Sequence, residues 1–331
     1  ELSQGNRGML SRALTQALTD TLARKEQALL FLNRRGVAPS VLCRNCGFRY
    51  TCPNCSTSMT LHDRGLLRCH HCGASGRVAL ACPRCGSKYL RELGVGTQKL
   101  EAYLAALFPD THLCRIDRDT AGSAQTKEQR LYDFYQQESG ILLGTQMIAK
   151  GLDFPKVTLV GIVLADLSLA MSDFRAAERT FQLVTQAGGR TGRAQLPGKI
   201  IIQSYQPDHY SLKYAMAGDY EGFYRHEMGV RNKAGLPPFS ALTRILISAK
   251  EQPQLMKQVE QITALLRQEN YNLLFSGPPP LERLKGRYRW HLLLRHSLAN
   301  SPWEKVERLR RSIRGDKYTR VIIDNNPYNF M

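Results

Sequence analysis

Long apolar runs are missing from this 331-residue chain: none reaches the roughly eighteen residues that a membrane span requires. Neither a signal peptide nor a lipidation motif can be read, which sets a membrane aside as the partner. Acidic residues are scarce, 28 against 46 Lys and Arg, leaving a net charge of +18 and a pI near 9.7. An excess of that size points to a polyanion, most often nucleic acid, rather than to a merely solubilising basic surface. Also absent is any Gly-x-x-x-x-Gly-Lys-Ser/Thr phosphate loop, with the Asp-Glu pair that would follow it. Gly94-Val95-Gly96-Thr97-Gln98-Lys99 lacks the third glycine of a dinucleotide fingerprint and offers at most a helix N-terminus to a phosphate. Hydrophobic residues make up 43% of the chain, enough for sizeable cores, and its length suits two or three domains.

Cysteine, by contrast, is concentrated. Eight of the nine lie in four Cys-x-x-Cys knuckles: Cys43/Cys46, Cys52/Cys55, Cys69/Cys72 and Cys82/Cys85. A tetrahedral zinc-thiolate site takes two ligands from one tight turn and two from another, so four knuckles complete two sites with nothing left over. Redox motifs come singly and disulfide frameworks belong to short secreted chains, so structural zinc in a reducing, cytoplasmic setting is expected. Sequential pairing would join the first knuckle with the second and the third with the fourth. Nested pairing assigns Cys43, Cys46, Cys82 and Cys85 to one zinc and Cys52, Cys55, Cys69 and Cys72 to the other. Nesting returns the chain to where it left, as suits an insertion, and is preferred. With eight thiols at hand, His62, His70 and His71 are not needed as ligands. Cys114 reads as a small core hydrophobe.

Around this block the pattern is α/β. Leu10, Leu14, Leu18 and Leu22 mark an amphipathic helix over 9–25, and Ala28–Leu32 is the continuous apolar run of a buried parallel strand. Beyond Gly94, helices at 94–108, 126–137 and 173–187 alternate with strands at 111–116, 140–144, 157–165 and 199–205. That alternation places all these elements in one parallel sheet and makes the cysteine block, 36–93, an insertion into a domain formed by 1–35 and 94–207. A helical connector, 208–238, ends at Leu236-Pro237-Pro238. The remainder, 239–331, reads strand-helix-strand-strand-helix-strand, the split-βαβ pattern of a small α+β domain.

Two further stretches carry chemistry. In Gln186-Ala-Gly-Gly-Arg190-Thr-Gly-Arg193, arginines three apart share one helical face while glycines allow close approach. A planar, always-charged fork there suits a transferring phosphoryl group, and equally a nucleic-acid phosphate. In Gly144-Thr145-Gln-Met-Ile-Ala-Lys-Gly151-Leu-Asp153, Thr145 offers a hydroxyl and an N–H to a phosphate, and Asp153 can accept from a ribose or orient the arginines. Together these stretches resemble the second, RecA-like motor lobe of superfamily 2 helicases. The ordered set of FLNRRG, the eight-cysteine block, GTQMIAKGLDF and QAGGRTGR, with RWHLLL and Asp324-x-x-Pro327 near the end, resembles the bacterial primosomal replication-restart DNA helicases.

That resemblance covers nearly the whole chain and implies an ATP-driven 3′→5′ DNA helicase of the cytoplasm, nucleoid-associated. Such an enzyme recognises stalled forks and D-loops, unwinds DNA and loads the primosome, with single-stranded-DNA-binding protein and other primosomal proteins as partners. It implies two Zn²⁺ with nested ligands, and ATP with Mg²⁺ in the intact enzyme. Arg190 and Arg193 become arginine fingers, Gly151, Asp153 and Gln186 ATP-binding residues, and Thr145 a DNA contact. The chain starts at Glu1, not Met, and reads as the C-terminal part of a larger protein whose first lobe holds the phosphate loop. Taken alone it is expected to lack ATPase. The competing reading is a non-enzymatic zinc-ribbon module that binds nucleic acid or protein.

Overall fold

The computed structural model describes residues 6, 8–32, 40–53, 58–69, 73–92, 97–116, 124–144, 154–171, 173–189, 198–279, 282–298, 302–313 and 315–328. Ser11 caps α1 (Arg12–Ala23) by accepting from the Leu14 N–H, and the helix buries Leu14, Ala17 and Leu18. β1 (Gln27–Leu32) is buried at all six positions, as a strand covered on both faces should be. The cysteine-rich segment contributes β2 (Val41–Cys43), β3 (Thr60–Leu61), β4 (Leu66–Arg68), β5 (Ser75–Arg77) and β6 (Leu90–Glu92).

After it come α2 (Thr97–Leu107), β7 (Leu113–Ile116), α3 (Ala124–Gln136), β8 (Gly140–Gly144) and β9 (Val157–Val163), then α4 (Asp166–Leu169), α5 (Ala176–Gly188) and β10 (Lys199–Ile202). Five strands form one parallel sheet in the order β10-β9-β1-β8-β7, so β1 lies at the centre although its partners follow the cysteine segment. Alternate residues of β1 feed two cores. Leu30 packs with Leu14 and Leu18 of α1 and Leu100 and Leu104 of α2. Leu29 and Phe31 pack with Phe134 of α3 and with Val184 and Ala187 of α5.

Several element ends fall a few residues from the sequence expectation, and two of them have a visible cause. The helix expected from residue 173 begins at Ala176, because Asp173 turns its carboxylate back to accept the Arg175 N–H at 3.0 Å. The strand expected to run through Tyr205 stops at Ile202, because Ser204 Oγ and the Tyr205 N–H both donate to the buried Asp166 carboxylate, at 3.1 and 2.9 Å. Cys114 is a core residue.

The connector is two helices, α6 (Tyr210–Ala217) and α7 (Tyr220–Ala234), separated by the left-handed Gly218 and the N-cap Asp219. Phe223 of α7 stacks on Phe181 of α5 at 4.3 Å between ring centroids. The last domain holds β11 (Ala241–Ala249), α8 (Gln252–Gln268), β12 (Leu273–Gly277), β13 (Arg283–Leu284), β14 (Arg287–His296), α9 (Pro302–Ser312) and β15 (Thr319–Asn325). Its antiparallel sheet runs β12-β14-β11-β15, the strand order of a split-βαβ fold, with β13 as a short extra arm on β14. The helices cover one face. On the other, Leu242, Phe275 and Leu293 pack with Phe174 from the parallel domain. No helix among the described residues is long and apolar enough to cross a membrane.

The cysteine segment leaves and returns through an antiparallel β2–β6 ladder, and its first knuckle docks on the parallel domain. Gly47 sits there at φ +72°, so close to β10's continuation that a Cβ would lie 2.0 Å from the Tyr205 carbonyl oxygen. Gln206 Nε2 donates to the Gly47 carbonyl at 3.0 Å. Gly47→Ala therefore combines left-handed strain with a backbone clash, and is expected to cost about 2 kcal/mol or more. Denaturant unfolding of wild type and variant measures the loss.

Candidate metal centre and motor face

Three knuckles share one backbone turn. The first cysteine's N–H donates to the carbonyl five residues on (Cys43 to Phe48, Cys69 to Ala74, Cys82 to Ser87, each 2.8 Å). Its carbonyl accepts from the N–H of the glycine four residues on, at 2.8–3.0 Å for Gly47, Gly73 and Gly86. All three glycines have positive φ, which is why glycine follows the second cysteine there.

The β2–β6 ladder places Cys43 opposite Leu90, and the Arg44 N–H donates to the Tyr89 carbonyl at 3.0 Å, which carries the first knuckle to the last. The Sγ atoms of Cys43, Cys46, Cys82 and Cys85 all lie within 4.8 Å of one another. Cys43–Cys85 measures 3.7 Å and Cys46–Cys82 3.6 Å. A tetrahedron with Zn–S of about 2.3 Å has edges of about 3.8 Å, so the quartet fits zinc in donor type, number and spacing. The Ser87 N–H and the surrounding side-chain donors hold the Cys85 thiol down at about 6, while burial pushes its neighbour Cys46 up. Cys43, Cys46, Cys82 and Cys85 would hold a zinc ion here, whose positive charge would let four thiolates share this volume and tie the two ends of the segment together. Cys52 and Cys69, the first residues of the other two knuckles, are buried together in a small core with Val41, Met59 and Leu67. Their mates Cys55 and Cys72 lie outside the described residues, as do His70 and His71. His62 instead meets Glu282 of the C-terminal domain.

Behind the first knuckle, Arg49 is 5% exposed and donates through Nη2 to Gln206 Oε1 at 2.6 Å. Burial pushes the Arg49 pKa down and that of the fully buried Asp166 up, while their opposite charges attract and offset part of both shifts. Arg49 also lines a cavity of about 480 Å³ between the cysteine segment, the parallel domain and the connector, with Cys52, Phe174, Gln206, His209 and Arg231. His209 caps α6 there, and burial, with help from the Arg49 charge, lowers its pKa to about 4.

The expected nucleotide and DNA residues fall largely outside the described residues: Thr145, Gly151, Asp153, Arg190 and Arg193 are all in that group. Their supports are described. β1 and β8 end in register, Phe31 opposite Gly144, so Thr145 follows directly from the carboxyl edge of the sheet, where open α/β folds bind ligands. α5 runs to Gly188, just before Arg190. Gln186 is exposed on its last turn and lines a cavity of about 420 Å³ with Tyr220 and Tyr224 of α7.

Sequence reading missed the residues that hold α5. Arg231 of α7 reaches Glu178 of α5 and its own neighbour Glu227, each at 2.7 Å, and Tyr210 donates to Glu227 at 2.6 Å. The Glu227/Arg231 spacing of four was legible as a helical pair; the partner on α5 was not.

Three family models match in succession. The helicase conserved C-terminal domain covers 95–195, the PriA DNA helicase Cys-rich region covers 52–77, and the primosomal protein N C-terminal domain covers 232–328. Over this length the chain belongs to the PriA family. It is 42% identical to the replication restart protein PriA of Bacillus subtilis, over 100% of this chain and 42% of that protein. It is 37% identical to the PriA of Synechocystis, over 98% of this chain and 40% of the relative. The Haemophilus influenzae PriA is 38% identical over 96% and 44%. The chain thus spans less than half the length of these PriA relatives.

Two outcomes follow from the metal centre and the cavity beside it. Cys82→Ser should remove one zinc equivalent per chain in a metal assay on purified protein, and acidification should release metal from the wild type as protons compete for the thiolates. His209 binds its proton less readily folded than unfolded. Its contribution to stability is therefore full above the unfolded pKa near 6.5 and is lost as pH falls toward 4. His209→Asn, which keeps a capping side chain, should flatten the unfolding free energy across that window.

Proposed function

We propose that this chain is the C-terminal part of an ATP-dependent 3′→5′ DNA helicase that binds stalled or repaired replication forks, unwinds DNA and loads the primosome. The helicase-type parallel sheet carries it: α5 leads into Gln186-x-x-Gly-Arg190-x-x-Arg193, and β8 leads into the stretch from Thr145 to Asp153. In this reading residues 1–35 and 94–207 are the second motor lobe, 36–93 the zinc insertion, 208–238 a connector and 239–331 a DNA-binding domain. Arg190 and Arg193 stabilise charge on the transferring phosphoryl group, Gly151, Asp153 and Gln186 serve the nucleotide, and Thr145 links it to DNA. ATP and Mg²⁺ come with a first lobe that supplies the phosphate loop. Single-stranded-DNA-binding protein and other primosomal proteins are the partners, in the bacterial cytoplasm at the nucleoid.

Zinc has a structural role here, with Cys43, Cys46, Cys82 and Cys85 binding one ion and Cys52, Cys55, Cys69 and Cys72 the other. The net charge of +18 supports a DNA partner. A free-standing zinc module fits less well, because Gly47 and Arg49 tie the first knuckle to the Tyr205–Gln206 backbone and side chain of the parallel domain.

In the intact enzyme, Arg190→Ala or Arg193→Ala should lower DNA-stimulated ATP hydrolysis by about 10³-fold or more, the scale of an arginine finger, and leave DNA affinity unchanged. Steady-state hydrolysis and equilibrium DNA binding read the two separately. Lost affinity with normal hydrolysis would show that the arginines only contact DNA phosphates.

A further inference from the structure

α5 is gripped from outside its own domain. At its start, Asp173, 3% exposed at the side chain, lies 2.9 Å from Arg179 Nη1 and 3.8 Å from Arg175 Nη1. The two guanidiniums then donate to main-chain carbonyls just past the end of β15: Arg175 to Pro327 at 2.9 Å and Arg179 to Tyr328 at 2.6 Å. The Arg179 guanidinium also lies 5.4 Å from the Tyr328 ring centroid. Tyr328 is 81% exposed, so burial of its ring does not account for this contact. Charge-assisted bonds to the backbone do. Arg231 pulls on the same turn from the connector through Glu178. The far end of α5 carries Val184 and Ala187 in the sheet core and finishes at Gly188.

We propose that Pro327–Tyr328 is a strap through which the C-terminal domain sets the orientation of α5, and thereby of the arginine pair that follows it. The proposal rests on the helicase reading above for its effect on hydrolysis. Arg175 and Arg179 are positioning residues: they hold a rigid helix of thirteen residues, about 20 Å long, by the end opposite the one that leads to Arg190. A ligand that shifts β15 when it binds the C-terminal domain moves the strap, and α5 follows. DNA binding by that domain and hydrolysis in the motor then become linked through one backbone contact.

The test uses the full-length enzyme with residues 327–331 removed, compared with the Arg175→Ala/Arg179→Ala variant and the combination of both changes. Each change should lower kcat of DNA-stimulated hydrolysis by about threefold to tenfold with KM for ATP unchanged, and the combination should be no worse than the Arg175→Ala/Arg179→Ala variant, which already lacks the contact that the deletion removes. Arg179→Lys should recover part of the loss. Amide exchange across 176–188 should quicken in the deletion, while the thermal transition and zinc content confirm that each variant is folded. Unchanged exchange overturns the strap, and quicker exchange with unchanged kcat, or losses that multiply, overturns its coupling to hydrolysis. Arg190→Ala measured in parallel separates the two levels: if that variant hydrolyses ATP normally, the motor reading falls, and the strap is judged on amide exchange. Should the deletion not fold, the Arg175→Ala/Arg179→Ala variant alone decides by the same two readouts.

Discussion

Four thiols that must occupy one small volume organise this molecule. Cys43 and Cys46 belong to the outgoing arm of a long insertion and Cys82 and Cys85 to its return, and their sulfurs meet at a tetrahedral edge length. Among the described residues the core inside the insertion is small: Val41, Cys52, Met59, Leu67 and Cys69 are buried, with partly buried neighbours such as Tyr50 and Leu61 packed against them. A zinc ion held by the outer quartet would add to so small a core, since metal coordination contributes about 10–16 kcal/mol in zinc-finger peptides. Once ordered, the first knuckle presents Gly47 and Arg49 as a rigid docking edge. Asp166, drawn to Arg49 by charge, anchors Ser204 and Tyr205 on the other side of that seam. Metal geometry, left-handed glycine and buried charge thus act on one another within a few residues.

α5 is the second point of convergence. One side of it is sheet core, another stacks Phe181 on the connector's Phe223, and its first turn is held by ion pairs with Asp173 and Arg231 and by the carbonyls of Pro327 and Tyr328. Apolar contacts fix how the helix lies on the sheet, while the ionic contacts fix its relation to elements that the sheet does not reach. Ionic contacts of this sort are directional, and the close-packed apolar ones transmit displacement rather than absorb it.

Much of this architecture was legible because it is local. β1 and β9 announce themselves as unbroken apolar runs, the knuckles by spacing, and the C-terminal domain by its alternation of two-residue and helical periods. Nesting was favoured from the logic of an insertion, and the geometry that gathers the outer quartet is the β2–β6 ladder, whose short strands carry almost no pattern of their own. The seam at Gly47, Arg49 and Asp166 and the grip of Arg175 and Arg179 on Pro327 and Tyr328 were not legible. Both join residues more than a hundred positions apart, and the second uses backbone acceptors that any sequence supplies. The late start of α5 and the early stop of β10 share a cause: Asp173 and Asp166 turned back on the backbone, where periodicity alone would have continued the element. Arg190, Arg193, Thr145, Gly151 and Asp153 were expected from a motif and lie outside the described residues; β8 and α5, which precede them in sequence, are described.

The central place of β1 also governs how the chain can be made. Five of the six residues of Gln27–Leu32 are apolar, yet both strands that flank it in the sheet are translated more than a hundred residues later. At about 5–20 residues per second of synthesis, that interval is roughly five to twenty seconds. Throughout it, the nascent chain displays a six-residue segment with the composition of an aggregation nucleus. The segment that emerges in the meantime is the cysteine block, whose four outer thiols are gathered by its own β2–β6 ladder. Capture of zinc on the ribosome would compact the intervening chain, shorten the loop that β8 and β9 must close to reach β1, and so hasten the sequestration of the stickiest strand. In a zinc-poor cell the first symptom would then be lost yield of the whole lobe, ahead of any defect in the finished protein.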